Sequence, residues 1–553
     1  MSGAAYTVLT ALYLRMTPGR FVGAVAPDPG DPIFNLTILR WVASRVPHLL
    51  DGVWSPTFFW PTRGVLALSD HLIGPGILTA LLELLGCTPA AVYNTFLLSA
   101  LAGGALAAHL VFRLSGLSIV AAAFGAIAWS FSAARWEELS HLQVLLVTWI
   151  PWTLWSFDRL LAEPTPRRAA SFAAAYALHV SGGAYLAYLV HLPLAAIALS
   201  RLFLNRALSH FRRAVTIWLF TGISCLGFFL WMYLPYTRFR ADLGIATTRA
   251  MIEPHRIHAG SFFTVGPRTI YSDLMPERLQ AQSGALYVGF LVLGFLIYEL
   301  ACRWRRRGVG VESGALDLSP GWWRALGVAG VVSAICCLSG VARLLRQVLP
   351  GFEAIRVPAR LFIFASFAAA AFAGAGVDRF VARCRKRSLR IVGASAVLAL
   401  VAVEAFTKGK YTEWTPVPAP AEIPAVYRWI ASRPGIHAIA EFPLRVFWRE
   451  SERMYFGTVH GRRLLNGYSG YYPLAYRKIQ ALLVDFPGPL ETSRLEALGM
   501  SHLVVHRDEL SRADRRRWRA WNRKVARAKP PWLVLEAELD DAVVYRVASA
   551  ESR

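Results

Sequence analysis

Charge is what this chain has least of. Only 17% of its 553 residues are Asp, Glu, Lys or Arg, while 55% are hydrophobic, and the mean hydropathy is +0.40. A soluble chain carries about a quarter charged residues. Repeated apolar runs with few internal charges point instead to a polytopic membrane protein. The six cysteines, Cys87, Cys225, Cys302, Cys336, Cys337 and Cys384, form no CxxC pair or finger spacing, and none falls after residue 407. That argues against a disulfide framework or a structural zinc site. The N-terminus lacks a positive n-region and an A-x-A-like cleavage site, so the first apolar segment is expected to direct insertion itself. No repeat of 20–50 residues and no inverted halves are visible.

What charge there is, is basic. The net charge is +24, yet no nucleic-acid partner is expected, because many of the cations cluster at the ends of apolar runs, where they act as topology signals and meet anionic lipid headgroups. Spans are predicted at 90–112, 117–133, 142–161, 168–181, 184–204, 213–235, 284–302, 322–343, 360–380 and 389–406. With a first segment at Ala4–Met16 that makes eleven. The clusters then fall on one side: Arg113; Arg167 and Arg168; Arg201, Arg206, Arg212 and Arg213; Arg303 and Arg305–Arg307; Arg383, Arg385, Lys386, Arg387 and Arg390. The positive-inside rule assigns that side to the cytoplasm. The opposite face receives the loop 18–71, the link 134–141, the loop 236–283, the link 344–359 and the tail 407–553. Two features stand out. The first segment spans only about 20 Å against a hydrocarbon core of about 30 Å. His71–Leu85, with Pro75 and Gly76 inside it, reads as interfacial or re-entrant, as does the amphipathic stretch Ile38–Leu50 that precedes Trp54, Phe58, Phe59 and Trp60.

After residue 407 the character changes. Pro416, Pro418 and Pro420 make a stiff linker. Helices are expected at Ile423–Ser432, Tyr472–Asp485, Glu491–Leu498 and Arg512–Ala528. Strands are expected at His437–Phe442, His502–His506, Trp532–Glu538 and Ala542–Val547. The domain plan is therefore a transmembrane part, 1–406, and a small α/β extracytoplasmic domain, 407–553.

Asp28 and Asp31 lie in APDPGDP, where three prolines limit backbone freedom. An acid there can act as a general base or hold a metal, although Asp-Pro and Pro-Gly are also ordinary turn chemistry. Asp70 and His71 close the same loop, and Asp70 is equally well placed to cap the following helix. Glu137, Glu138 and His141 crowd a very short link near the bilayer, where charged groups tend to be paired or functional; Arg135 nearby offers a plain ion pair. The long loop carries His255, Arg256, His258, Tyr271 and Asp273 in no ligand spacing, and loops of that length are often lids. Tyr185 and Tyr188 follow Gly182–Gly183 as cavity or interface aromatics. Asn466, Tyr468, Ser469, Tyr471 and Tyr472 suit either sugar stacking or a structural turn. The arginines of 515–523 face solvent or headgroups.

Five stretches, PGDPIFNLTILRW (29–41), LSDHLIGPGIL (68–78), HLQVLLVTWIPWTLW (141–155), IRVPARLFIF (355–364) and LLNGYSGYYP (464–473), together resemble the GT-C superfamily of membrane glycosyltransferases, and within it a poorly characterised bacterial group. The resemblance implies a GT-C-like helical membrane fold. It also implies inverting transfer of a hexosyl or pentosyl group from a polyprenyl-phosphate-linked sugar to a glycan, lipid or protein acceptor at the outer face of the cytoplasmic membrane. Asp31 matches the general base best and Asp28 is second. A divalent metal, if one assists, would use Asp28 and Asp31; no other cofactor is implied. Asp70, His71, Glu138, His141, Arg356 and Arg360 are the implied substrate contacts, the two arginines for the donor phosphate. The competing readings are a transporter or flippase of lipid-linked glycans and a non-catalytic scaffold of the same fold.

Overall fold

The computed structural model describes residues 2–204, 211–245, 247–266, 269–280, 286–306, 320–406, 414–444, 447–483, 495–528, 533–539 and 542–547. Arg206, Arg307 and half of the helix expected at Glu491–Leu498 lie outside them. The chain is mostly helical and divides into two compact units. One comprises Met1–Pro18, Asn94–Met232 and Ala246–Glu413. The other comprises Gly19–Tyr93, Tyr233–Ile245 and Trp414–Arg553.

Among the described residues, five helices are long and apolar enough to cross a bilayer: Pro89–Leu114, Ile119–Glu137, Ala184–Leu202, Ala214–Asp242 and Pro358–Ala382. A sixth candidate is the pair Gly321–Cys337 and Ser339–Val348, bent by 94°. Eleven spans are expected from hydropathy; of the other five, Arg387–Glu404 has 18 residues but carries Arg387, Arg390 and Glu404, and four fall short by length. Gly3–Tyr13 has 11 residues, Ile150–Ala162 has 13, Pro166–Val180 has 15 and Phe290–Arg306 has 17. At about 1.5 Å per residue these do not cover a core of about 30 Å unaided. Ile73–Leu84 is also a short apolar helix, as its proline and glycine suggest.

In the first unit, the helix Phe362–Ala382 is built largely of Ala and Gly, and neighbours approach its backbone closely. A Cβ on Gly374 would lie 2.9 Å from the carbonyl oxygen of Ala121, one on Gly376 2.4 Å from that of Phe295, and one on Gly125 2.9 Å from that of Ala370. Small residues are how helices associate where lipid removes the hydrophobic drive between them. Two buried carboxylates are paired with arginines. Asp158, with no exposed side-chain surface, receives Nε and Nη2 of Arg201 at 2.6 and 2.5 Å. Glu299, equally buried, accepts from both Arg303 and Arg379.

The second unit holds a five-stranded mixed sheet in the order β4-β3-β5-β7-β6. Its strands are β3 (Ala438–Phe442), β4 (Arg463–Leu464), β5 (His502–His506), β6 (Leu533–Leu539) and β7 (Ala542–Val547); β1 (Ala24–Val25) and β2 (Thr415–Pro416) pair separately and antiparallel. β3 runs parallel to β4 and β5, while β7 is antiparallel to β5 and β6. One face is an apolar core of Ala438, Ala440, Phe442, Leu503 and Val505, joined by Trp518 and Trp521 of the basic helix Arg512–Ala528. Because side chains alternate along a strand, Glu441 and His506 share the other face, where His506 Nε2 lies 2.6 Å from Glu441 Oε2. Tyr427 donates to the same oxygen at 2.9 Å. Arg453 sits beside them, bonded to Glu450 at 2.8 Å and Glu509 at 2.5 Å. Burial pushes the Glu450 carboxyl up to about 7, against the pull of Arg453 and with the help of the neighbouring carboxylates.

Removing one member of a buried ion pair costs about 3–5 kcal/mol. Asp158→Ala is therefore expected to lower the midpoint of thermal unfolding in detergent strongly, with loss of folded yield. An unchanged midpoint would mean that the pair does not hold these helices.

Candidate active site

The eight residues singled out from the sequence fall four to each unit: Asp28, Asp31, Asp70 and His71 in one, Glu138, His141, Arg356 and Arg360 in the other.

Asp28 and Asp31 do different things. Oδ1 of Asp28 accepts the backbone N–H of Gly30 at 2.7 Å and of Asp31 at 3.3 Å. This Asx-type turn shapes the entry to the helix Asp31–Arg45. Ser451, on the helix Phe447–His460, donates to the Pro29 carbonyl at 2.9 Å. Asp31 is the first residue of its helix, where the positive end of the dipole favours a carboxylate. Its Oδ1 accepts a hydrogen bond from the Tyr468 phenol at 3.0 Å. Burial and the adjacent Asp31 charge push the Tyr468 hydroxyl well above the usual phenol range, so it stays protonated and donates.

The Tyr468 loop is anchored on two sides. Asn466 exchanges both side-chain hydrogen bonds with the Glu441 backbone at 2.8 Å. Ser469 donates to the Leu68 carbonyl at 3.2 Å. The backbone of Phe59 donates to Asn466 at 3.0 Å, and a Cβ on Gly467 would strike the Phe59 ring at 2.5 Å. The mixed aromatic and polar run 466–472 is thus a structural loop whose Tyr468 hydroxyl reaches Asp31. A polar tyrosine between two glycines was the available signal; its partner 437 residues away was not.

His71 is almost fully buried, with Trp54 and Tyr236 packed on it. Its Nδ1 accepts the N–H of Ile73 at 3.1 Å, at the start of the helix Ile73–Leu84. Burial pushes its pKa down to about 3, which leaves it neutral near pH 7.

In the first unit, the carboxylate of Glu138 takes Nε and Nη2 of Arg360 at 3.2 and 3.0 Å and lies 3.0 Å from His141 Nδ1. The Glu138 ion pair goes to Arg360 and not to the nearby Arg135. Arg135 is buried and donates to the carbonyls of Ala100 and Leu145, with its guanidinium 5.3 Å from the Trp129 ring centre. Burial alone would raise the Glu138 carboxyl; Arg360 and His141 outweigh it and hold it well below the usual range. Arg360 also lies 4.8 Å from the Tyr185 ring centre, and the Tyr185 hydroxyl accepts the Val357 N–H. Tyr188 donates to the Pro350 carbonyl at 2.8 Å. The two tyrosines therefore fasten the link that carries Arg356 and Arg360. Burial, with Arg356 and Arg360 nearby, keeps His255 below its usual pKa. Tyr271 is engaged by Glu404, whose carboxylate also caps the helix Phe290–Arg306 through the N–H groups of Phe290 and Leu291.

Among the described residues no three His, Cys, Asp or Glu side chains gather in metal-binding geometry. Asp28 Oδ1, one of the four carboxylate oxygens of the two residues, is turned to backbone N–H groups. The pair Asp28 and Asp31 does not fit a dedicated divalent-metal site.

Among the described residues, the helices long and apolar enough to cross a bilayer point to a membrane protein, and its fold is that of the solved glycosyltransferase structures named below. No family model and no curated protein matches the chain. Among solved structures it is similar to the arabinofuranosyltransferase AftD from Mycobacteria, with a TM-score of 0.59 and 16% identity over 100% of this chain. A variant of the same enzyme matches at 0.56 and 15%. This chain spans 40% of the length of that enzyme. The oligosaccharyltransferase of Archaeoglobus fulgidus is more distant, at 0.47 and 13% over 91% of this chain and 69% of its own.

A depressed carboxyl stabilises the fold above its unfolded pKa of about 4.5, and that stability is lost as pH falls through the folded value. Glu138→Gln is expected to reduce thermal stability at pH 7 and to flatten its decline below about pH 4.5. A variant whose acid decline matches the parent would contradict the Arg360–Glu138–His141 arrangement.

Proposed function

We propose that this chain is a membrane glycosyltransferase that moves a hexosyl or pentosyl group from a polyprenyl-phosphate-linked donor to an acceptor hydroxyl, with inversion, at the outer face of a bacterial cytoplasmic membrane. The observation that carries the proposal is Asp31: a half-buried carboxylate at a helix start, on a turn held by Asp28 and Ser451, in a chain with a GT-C fold.

In the proposed reaction Asp31 takes the acceptor proton as the acceptor oxygen attacks the anomeric carbon. The bond from that carbon to the phosphate oxygen breaks on the opposite side, and polyprenyl phosphate leaves with the electron pair. A positioned base contributes about 10²–10⁴-fold. Asp28 shapes the turn rather than sharing the proton. Arg356 and Arg360 supply positive charge for the donor phosphate, with Glu138 and Tyr185 fixing the Arg360 fork. Neutral His71 acts through the helix start it holds, and Asp70 shapes the loop beside it. No step runs through a metal.

The proposed organisation is an eleven-span part, 1–406, in which the short apolar helices continue through flanking residues. The α/β region 407–553 is extracytoplasmic, membrane lipids surround the spans, and the acceptor is a glycan, lipid or protein.

Asp31→Asn is expected to lower sugar transfer from a lipid-linked donor by roughly 10²-fold or more, while Asp28→Asn costs less and acts mainly through stability. Undiminished transfer by Asp31→Asn would remove it from the mechanism. A cytoplasmic signal from a reporter fused at residue 420 would overturn the sidedness.

A further inference from the structure

We propose that Tyr468 is the positioning residue for Asp31: its phenol, delivered by the loop after β4, holds one carboxylate oxygen and so fixes the plane in which the carboxylate takes the acceptor proton. This rests on the reading of Asp31 as the base, and goes beyond it by giving the tail a part in the chemistry.

Three observations carry it. The hydrogen bond from Tyr468 to Asp31 Oδ1 is 3.0 Å. The phenol is not free to drift: its ring packs edge-on against Phe34 of the Asp31 helix at 5.6 Å, its own N–H points to the Met454 sulfur at 3.0 Å, and the loop is tied through Asn466 and Ser469. The turn is also shaped to admit it. A Cβ on Gly30 would stand 3.0 Å from the Tyr468 hydroxyl oxygen and 3.2 Å from Asp28 Oδ1, so a glycine leaves room for the phenol to reach its neighbour.

The helix Phe447–His460 supports both partners. Ser451 holds the Pro29 carbonyl and Met454 receives the Tyr468 N–H. The base and its orienting donor thus share one rigid support, although they lie at opposite ends of the chain.

A donor that bonds to the ionised carboxylate favours the ionised form, and orientation contributes to rate separately from binding. Tyr468→Phe keeps the ring and its packing and removes only the donor. Its expected phenotype is a loss in kcat of roughly tenfold with little change in KM for the donor, and an acid limb of the kcat/KM profile moved up by about one pH unit. Incorporating a ring-fluorinated tyrosine at 468, a stronger donor of the same shape, is expected to move that limb down.

The assay uses the full chain in nanodiscs with a synthetic polyprenyl-phosphate sugar, with Asp31→Asn beside the two Tyr468 forms. If Asp31→Asn is inactive and both Tyr468 forms keep the parental acid limb, the inference fails while the base assignment stands. If Asp31→Asn is fully active, the base assignment fails first and the inference with it. A Tyr468→Phe protein too unstable to assay leaves the fluorinated form, whose unmoved limb is by itself contradictory.

Discussion

The clamp on residues 28–31 is the constraint on which this face of the molecule depends. A carboxylate can act as a base only if its oxygens stay where the reaction needs them, and a loop between prolines does not ensure that by itself. Here Asp28 closes the turn from inside, Ser451 holds the Pro29 carbonyl from the helix Phe447–His460, and Tyr468 reaches Asp31 from the loop after β4. Each partner comes from a different stretch of the chain. The site therefore exists only when the first loop and the tail fold together as one compact unit, as the clustering of Gly19–Tyr93 with Trp414–Arg553 records.

The apolar unit answers a different problem. Lipid offers no hydrophobic gain for bringing helices together, so close backbone packing and paired charges do that work. The Ala- and Gly-rich helix Phe362–Ala382 supplies the first, and Asp158–Arg201 and Arg303–Glu299–Arg379 supply the second. Glu138 holds Arg360 in a fixed fork, and Tyr185 and Tyr188 fasten the link that bears it. A guanidinium held in place loses less entropy on meeting a phosphate than one that must be ordered.

Local pattern carried some of this and not the rest. Apolar runs marked the long helices, and alternation with β-branched residues marked β5 and β7, because burial imposes those periods directly. The helix Phe447–His460 was not marked: Arg449, Glu450, Glu452 and Arg453 interrupt its apolar face, since that face meets a buried ionic cluster instead of a hydrocarbon core. Asp31 was legible as an acid among prolines, and Asp28 was not separable from it, because the difference lies in where one oxygen points. Arg135 is the nearby cation, but it is buried on carbonyl partners and the Glu138 salt bridge goes to Arg360, 222 residues away. Such pairings leave no local trace.

The most direct test of the account is a structure of the protein bound to a polyprenyl-phosphate sugar donor and an acceptor. The account predicts an acceptor hydroxyl within hydrogen-bond reach of Asp31, roughly 3 Å, with the Tyr468 bond to that carboxylate intact and the donor phosphate against Arg356 or Arg360. A donor and acceptor bound with their reacting atoms away from Asp31, or a Tyr468 phenol turned from the carboxylate in the complex, would contradict it.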